Sequence, residues 1–477
     1  MNSSACLQYL KVSALSILIK AILLLSPVLR VNAQDKEVLT PETFMEQLRL
    51  YHPVVKQADL LRENAAAGLL TARGAFDPVV AMSTQNKTLD GTNYYRYNNP
   101  ELKLPTPFGL GFKTGFENSN GQYKNPELTT GVASYVGMEL PLLKGLLMDK
   151  KRAVLQQAKI YRQQSEQERQ GILNDLLFNA YTAYWEWTSA YQLYRIFSGY
   201  MDVAKNRNRL VSIAFRNGDR SVADTIEAFT QLQSYGLLQA NAFMELNNKS
   251  AELSQYLWSE EGEPYLLPSH ISPDTTRFSF PYPLPDTTGM MDQLQVKHPL
   301  LRTTQFKLQA LEVERKLKFQ SLLPEVNLQA NLLSKEYFNY KNLSAFYLEN
   351  NYKFGMTMKI PLLFRQGRGD YKSIRVKIKD TNLELALKSW QLQTKIRQYF
   401  NEAVQYREQL QMAKNMYQNF QSLLKIEELK FAQGESSLFL INSRENKMLE
   451  MEQKQIELQM KYLKAVYAVQ WAAASLN

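Results

Sequence analysis

The side chains that most often perform chemistry are scarce in this chain of 477 residues. It contains one cysteine, Cys6, and three histidines, His52, His270 and His298, none close to another in sequence. Disulfide bonds, cysteine-ligated zinc sites and thiol catalysis are therefore excluded. Carboxylates are plentiful, but the sequence has no glycine-rich phosphate loop, no paired catalytic acids and no nucleophile constellation. We therefore predict that the protein is not an enzyme and uses no metal or cofactor.

One group of charged residues has a spacing that suggests a function. Asp224 and Glu227 are three residues apart, which places both carboxylates on one face of a helix, and Arg220 lies four residues before Asp224. An ordinary surface ion pair, with a free energy of about 0–1 kcal/mol, is the simpler interpretation. A ring of charges in a symmetric assembly, in which each side chain is repeated around an axis, is the alternative interpretation.

The N-terminal residues 1–33 have the order of a secretory signal peptide. Lys11 and Lys20 precede an apolar run, and small residues ending at Ala33 precede the expected cleavage point. A membrane anchor is the alternative, but the apolar run is short for a membrane span. Cys6 lies inside this segment, so the exported chain would contain no cysteine. Basic residues elsewhere are interleaved with acidic ones, which argues against a nucleic-acid partner.

The positions of proline indicate very long helices. No proline occurs between Leu142 and Glu263, or after Pro361, and both stretches have apolar residues at spacings of three and four. Residues 142–217 would form one helix about 114 Å long. Residues 219–258 and 291–320 together would match that length on the return, with the proline-rich segment 259–290 between them.

Two other regions alternate apolar and polar residues, which predicts strands. In the clearest case, Tyr352, Phe354, Met356 and Met358 alternate with Lys353, Thr357 and Lys359. An exposed sheet of a soluble protein is one interpretation. The strand lengths and the aromatic residues gathered between 337 and 347 favour strands that cross an outer membrane, with Tyr352, Phe354, Met356 and Met358 facing lipid.

The chain is also an internal duplication. His52-Pro53 corresponds to His298-Pro299, and the order of landmarks is the same in both halves down to a Phe-x-x-Gly turn. We predict these divisions: a first repeat at 34–258 with a strand region at 76–141 and a tip turn at 215–221; a linker at 259–290; and a second repeat at 291–477 with a strand region at 324–361 and a tip turn at 431–437. Whether the longer first strand region adds a hairpin or only loops stays open. The equivalent positions of His52 and His298 predict that both histidines pack between helices.

Taken together, the signal peptide, the Ala183-Tyr184-Trp185 stretch, Pro141-Leu142-Leu143, Pro361-Leu362-Leu363 and the glycine turns resemble the TolC family of outer-membrane channel proteins. The resemblance implies a mainly α fold with duplicated strand–long helix repeats. Three protomers would form an outer-membrane β-barrel continued by a periplasmic α-helical barrel.

The same resemblance implies a passive exit duct of a tripartite efflux or type I secretion system in the outer membrane of a Gram-negative bacterium. Its partners would be outer-membrane lipid, a periplasmic adaptor and, indirectly, an inner-membrane RND or ABC pump. The adaptor would contact the tips at Phe215, Gly218, Phe431 and Gly434. In a threefold assembly with these side chains toward the axis, Asp224 and Glu227 would form a cation-selective aperture, and Arg220 could hold it closed. The sequence does not identify the cargo. Which repeat forms the constriction is also left open, because the second tip lacks the residues that correspond to Arg220, Asp224 and Glu227 of the first.

An exported coiled-coil scaffold without a pore is the alternative function. It explains the long helices equally well, but it gives no reason for alternating strands bordered by aromatic residues.

Overall fold

The computed structural model describes residues 37–123, 131–335 and 351–476. The predicted signal peptide and the aromatic residues between 337 and 347 lie outside these ranges.

Long helices make up most of the described chain, and one end of them joins an antiparallel sheet. The helices are α1 (Pro41–Tyr51), α2 (Pro53–Gly74), α3 (Lys150–Arg216), α4 (Val222–Ser254), α5 (Thr275–Phe278), α6 (Thr287–Lys297), α7 (Pro299–Gln320), α8 (Arg365–Ala432) and α9 (Leu438–Ala472). The strands are β1 (Val38–Leu39), β2 (Val79–Leu89), β3 (Thr92–Pro105), β4 (Gly111–Asn120), β5 (Gly131–Pro141), β6 (Ser272–Pro273), β7 (Glu325–Lys335) and β8 (Tyr352–Lys359). The predicted fold class, mainly α with a β portion, is confirmed.

The two halves of the chain repeat the same helices at nearly the same lengths. The long outgoing helices α3 and α8 have 67 and 68 residues, and the return helices α4 and α9 have 33 and 35. The short helices α2 and α7 have 22 residues each. Equal lengths allow two helical hairpins to pack side by side along a common rod.

The paired histidines cap helices. Nδ1 of His52 accepts a hydrogen bond from the amide of Val54, and Nδ1 of His298 accepts one from Leu300, each at 3.2 Å. In both cases the following proline occupies the first position of the helix, where its missing N–H has no intrahelical partner to lose. The equivalent slots therefore have an equivalent structural role.

Two predicted helix boundaries were wrong. The expected single helix over 291–320 is interrupted at His298, because Pro299 cannot continue the hydrogen bonding of α6. The expected helix from Leu142 begins only at Lys150, where the Asp149 carboxylate accepts a hydrogen bond from the amide of Arg152 at 2.8 Å. The preceding turn includes Gly145 with φ of +92°, a backbone conformation that ends a regular helix.

His270 of the proline-rich segment lies near an acidic residue at the start of the described chain. Its Nε2 lies 3.9 Å from Oε2 of Glu37. This contact accompanies the short parallel pairing of β1 with β6, which attaches the start of the described chain to the proline-rich segment.

The six longer strands form one sheet in the order β2-β3-β4-β5-β7-β8, with every neighbouring pair antiparallel. The first repeat contributes four strands and the second contributes two. The longer first strand region therefore adds a complete hairpin, β2–β3, which answers the question that the sequence left open.

The main apolar core lies part-way along the rod, where the proline-rich segment packs against α3 and α9. Tyr184, Trp185 and Trp187 of α3 are almost fully buried there, and the Tyr184 hydroxyl donates to the carbonyl of Leu39 at 2.7 Å. On the other side, the side-chain Nε2 of Gln459 donates to the carbonyl of Phe278 at 2.7 Å. Full burial of a large apolar side chain contributes about 1.5–3 kcal/mol, so this cluster fixes the segment to the helices.

Within the described ranges, no helix has both the length and the apolar composition needed to cross a bilayer.

Candidate functional site

The six-stranded sheet has one apolar face and one polar face. The strand register aligns one residue of each strand in rows across the whole sheet. A row on the apolar face consists of Val80, Leu102, Thr114, Val136, Leu332 and Tyr352. The adjacent row on the opposite face consists of Val79, Lys103, Lys113, Gly137, Asn331 and Lys353. Because side chains alternate along every strand, the register separates the two sets.

The residues predicted to face lipid share the apolar face. Tyr352, Phe354, Met356 and Met358 all lie on it, and 54–66% of each residue is exposed in the single protomer. The intervening residues of β8, among them Lys353 and Thr357, lie on the polar face. The structure thus brings each set together as the alternation predicted, and lipid contact itself stays a prediction.

Charged residues on the polar face are paired with one another. The Tyr135 hydroxyl reaches across β4 and donates to Oε2 of Glu101 at 2.7 Å. It passes over Gly115, where a Cβ atom would lie 2.9 Å from the hydroxyl oxygen. Nζ of Lys113 lies 2.8 Å from Oε1 of Glu139. These contacts require a polar surface on this side of the sheet, and they fix the register of three neighbouring strands.

The opposite end of the rod carries two equivalent turns. Gly218 has φ of +84° and Gly434 has φ of +79°, in the left-handed region that glycine adopts without steric cost. After Gly218, the amide of Asp219 donates to the carbonyl of Ala214 at 2.9 Å, and the second turn repeats this bond from Glu435 to Lys430. Both turns therefore end a long helix in the same way, as Schellman motifs.

The three charged residues predicted to form an aperture each have a contact within the protomer. Asp224 and Ser221 form a capping box at the start of α4, with the amide of Ser221 donating to the Asp224 carboxylate at 3.1 Å. Oε1 of Glu227 accepts a hydrogen bond from the Asn442 side chain of α9 at 3.0 Å. The guanidinium of Arg220 lies 4.3 Å from the centre of the Phe431 ring.

The Arg220–Phe431 contact joins the two tip turns. Phe215 is partly exposed on the first turn, and Phe431 packs against the small apolar cluster of Val211, Ala228 and Leu438. The residues predicted to meet an adaptor therefore lie together at one end of the helices. Their contact with a partner stays a prediction.

A buried polar network lies a few turns from the tips. The guanidinium of Arg207 in α3 donates to both carboxylate oxygens of Glu445 in α9, at 2.6 and 3.0 Å, and to the Asn442 amide oxygen at 3.0 Å. The Tyr235 hydroxyl of α4 donates to Oδ1 of Asn446 at 3.0 Å. This network links the first helical hairpin to the second.

The histidines offer no metal site in the described part of the chain. No group of three or more histidine, cysteine, aspartate or glutamate side chains is placed to hold a metal ion there. Burial lowers the pKa of His298 to about 4 and also lowers the pKa of His52. Both rings are therefore neutral caps at pH 7.

Comparison with solved structures identifies the fold. The outer-membrane channel CmeC of Campylobacter jejuni superimposes with a TM-score of 0.64 at 14% identity, over 91% of this chain and 85% of that chain. VceC of Vibrio cholerae gives 0.63 at 12% identity, over 91% and 96%. The open state of the Neisseria gonorrhoeae channel MtrE gives 0.63 at 12% identity, over 91% and 88%.

The chain has the fold of TolC-type outer-membrane channels. No protein-family model and no curated protein sequence matches it. At these low identities the likeness concerns the course of the backbone, which spans nearly all of the described chain. It places the six-stranded sheet and the two glycine turns at opposite ends of this channel fold.

Two features of the site were missed by the sequence reasoning. The capping box at Ser221 and Asp224 has a recognisable Ser-x-x-Asp signal, which identifies a helix start. The Arg207–Glu445 pair had no such signal, because its partners are far apart in sequence and each resembles an ordinary charged residue on a helix.

Proposed function

We propose that the protein is a passive exit duct of the outer membrane, through which cargo leaves a tripartite efflux or type I secretion system. The observation that carries this proposal is the sheet, in which one row across all six strands is mostly apolar and the adjacent row on the other face is mostly polar. A sheet with one apolar face and one charged face suits a wall between lipid and water. Its direct connection to long helical hairpins suits a conduit that extends into the periplasm.

A single protomer cannot form this wall alone, since its sheet has two edges. We therefore propose a homotrimer in which the sheets close one barrel and the helical hairpins close one tunnel. A periplasmic adaptor would join the tunnel to an inner-membrane RND or ABC pump. The predicted cleavage of the signal peptide near Ala33 agrees with export to the outer membrane of a Gram-negative bacterium.

Substitution at the tips tests the adaptor contact. Gly218→Val and Gly434→Val should abolish export while trimers still form, because valine disfavours the left-handed turn and displaces the docking surface. Gly236→Val is the matched control, since Gly236 lies inside α4 with open space around it. Loss of trimers in the tip variants would mean that the glycines serve folding alone.

We also propose that Asp224 and Glu227, repeated three times, contribute to a cation-selective aperture whose closed form Arg220 stabilises. Asp224→Asn with Glu227→Gln removes both charges and keeps the hydrogen-bonding shape of the side chains. In a planar bilayer, the double variant should have higher conductance or weaker cation preference than the parent. Unchanged values for both quantities would place these carboxylates outside the conduction path.

The scaffold alternative is tested by fractionation. A duct requires detergent for extraction, whereas a coiled-coil scaffold without a membrane wall is released by carbonate or high salt. Release by carbonate would reject the duct, whatever the effect of the tip variants.

A further inference from the structure

The hairpin β2–β3 makes the sheet of one protomer six strands wide. The strand register shows how this hairpin lies relative to the other strands. Val80 of β2 and Leu102 of β3 lie in the same row as Val136, Leu332 and Tyr352. The apolar face therefore continues onto the part of the added hairpin nearest the helices, as far as Met82. A hairpin that plugged the pore, or that lay on the outside of the wall, would have no need of this continuity.

The polar face continues onto β3 of the hairpin. Glu101 of β3 receives the Tyr135 hydroxyl from β5, across β4 that lies between them. Nζ of Lys103 lies 2.9 Å from Oε1 of the same Glu101. Strand β3 thus shares side-chain contacts with β5 on this face, and backbone pairing joins β2 to β3.

The two edges of the sheet are β2 and β8, neither of which has a second strand neighbour in the described ranges. The apolar side chains of both edges are strongly exposed: Val80 is 78% exposed, Met82 68% and Tyr352 66%. Unpaired edges attract another strand. Because six antiparallel strands are an even number, β8 of one copy and β2 of the next run antiparallel when copies are arranged around an axis. A second copy of this chain can therefore complete each edge with the antiparallel pairing found in the rest of the sheet.

We propose that β8 of each protomer pairs with β2 of its neighbour, so that the trimer wall contains eighteen strands, including all three added hairpins. This inference rests on the proposed trimeric duct. With strands about 4.8 Å apart and tilted about 40°, eighteen strands give a backbone diameter of about 36 Å, against about 24 Å for twelve. The second repeat alone cannot supply this width, since it contributes two strands per protomer.

Cysteine cross-linking distinguishes a wall of eighteen strands from a wall of twelve. Cys6→Ser removes the native cysteine. Each tested pair then combines one cysteine on the polar face of β8 with one on the same face of β2, or with one on the same face of β4. The positions are Lys353, Gly355 and Thr357 on β8, Val79, Ala81 and Ser83 on β2, and Lys113 and Glu117 on β4. On oxidation of trimers in native membranes, we expect covalent dimers and trimers for a β8–β2 pair, and none for any β8–β4 pair. Single-cysteine variants are the controls.

Covalent trimers from a β8–β4 pair would overturn the inference, because they require the hairpin to lie outside the wall. Electron cryomicroscopy of the unmodified trimer in lipid nanodiscs gives an independent count. Eighteen strands in the cross-section are expected, and twelve strands with three separate hairpins would reject the proposal while leaving the duct intact. A protein that forms no membrane-embedded trimer would instead reject the proposed function.

Discussion

The buried contact between Arg207 and Glu445 gives a test of what holds the two helical hairpins together. In Glu445→Gln the side chain keeps its shape and loses its charge, so the guanidinium of Arg207 stays buried without a carboxylate. Only 6% of the Glu445 side chain and 18% of the Arg207 side chain are exposed. Breaking such a pair costs about 3–5 kcal/mol. Because glutamine retains one acceptor, we expect a loss near the lower end, about 3 kcal/mol.

Two further variants separate charge from packing. Replacing both partners, as Arg207→Met with Glu445→Met, leaves no unpaired charge and should lower stability by about 1 kcal/mol or less. Glu450→Gln is the matched control on α9, because its pair with Lys447 is exposed to solvent on both sides. An exposed pair of this kind contributes about 0–1 kcal/mol.

The assay is urea unfolding of detergent-solubilised trimers, followed by helical circular dichroism in both directions of the titration. The free energy of unfolding should fall in the order control, double methionine variant, Glu445→Gln. Equal losses for Glu445→Gln and Glu450→Gln would refute the reasoning, since burial would then have no effect on the contact. Because the same contact joins α3 to α9 near the tips, Glu445→Gln should also raise channel conductance.

Two other predictions concern the strands and the histidine caps. In membrane-embedded trimers, a cysteine at Thr357 should react with a water-soluble thiol reagent through the pore and a cysteine at Phe354 should not; equal labelling would contradict the assignment of faces. His298 has its pKa lowered from 6.5 to about 4 by burial, so its stabilising effect is complete above pH 6.5, falls as the pH decreases and is lost below about pH 4. The change in the free energy of unfolding is up to about 3 kcal/mol. His298→Asn should therefore reduce the loss of thermal stability between pH 7.5 and 4.5, and an unchanged loss would contradict this assignment.

The helices were largely predictable from sequence, because a long stretch without proline and with regular apolar spacing has few alternatives. The errors occurred where one side chain decides a boundary. Asp149 begins α3 by accepting the Arg152 amide, and Pro299 divides what periodicity presents as a single helix. Both effects are local and belong to side-chain capping or to the missing proline amide, which apolar spacing does not detect.

The added hairpin was harder to predict because β2 does not alternate apolar and polar residues: its first four residues, Val79 to Met82, are all apolar. Farther along β2 both faces carry polar residues, including Thr84, Gln85 and Asn86, so period-two hydrophobicity weakens there. Sequence patterns also could not predict the buried polar network near the tips. Arg207 and Glu445 look like ordinary helix-surface residues until the fold brings α3 against α9.

The duplication explains why the halves agree in their helices and differ at the ends. A change in the length of α3 would have to be matched by α4 and by the second hairpin, because these helices pack along one another; the near-equal lengths of α3 and α8 reflect that constraint. The sheet has no such constraint. A hairpin added at its edge contributes two strands, keeps every neighbouring pair antiparallel and leaves β5 paired with β7. Width at the sheet can therefore change without altering the helices, which makes the strand region the part of this fold where two otherwise equal repeats can diverge.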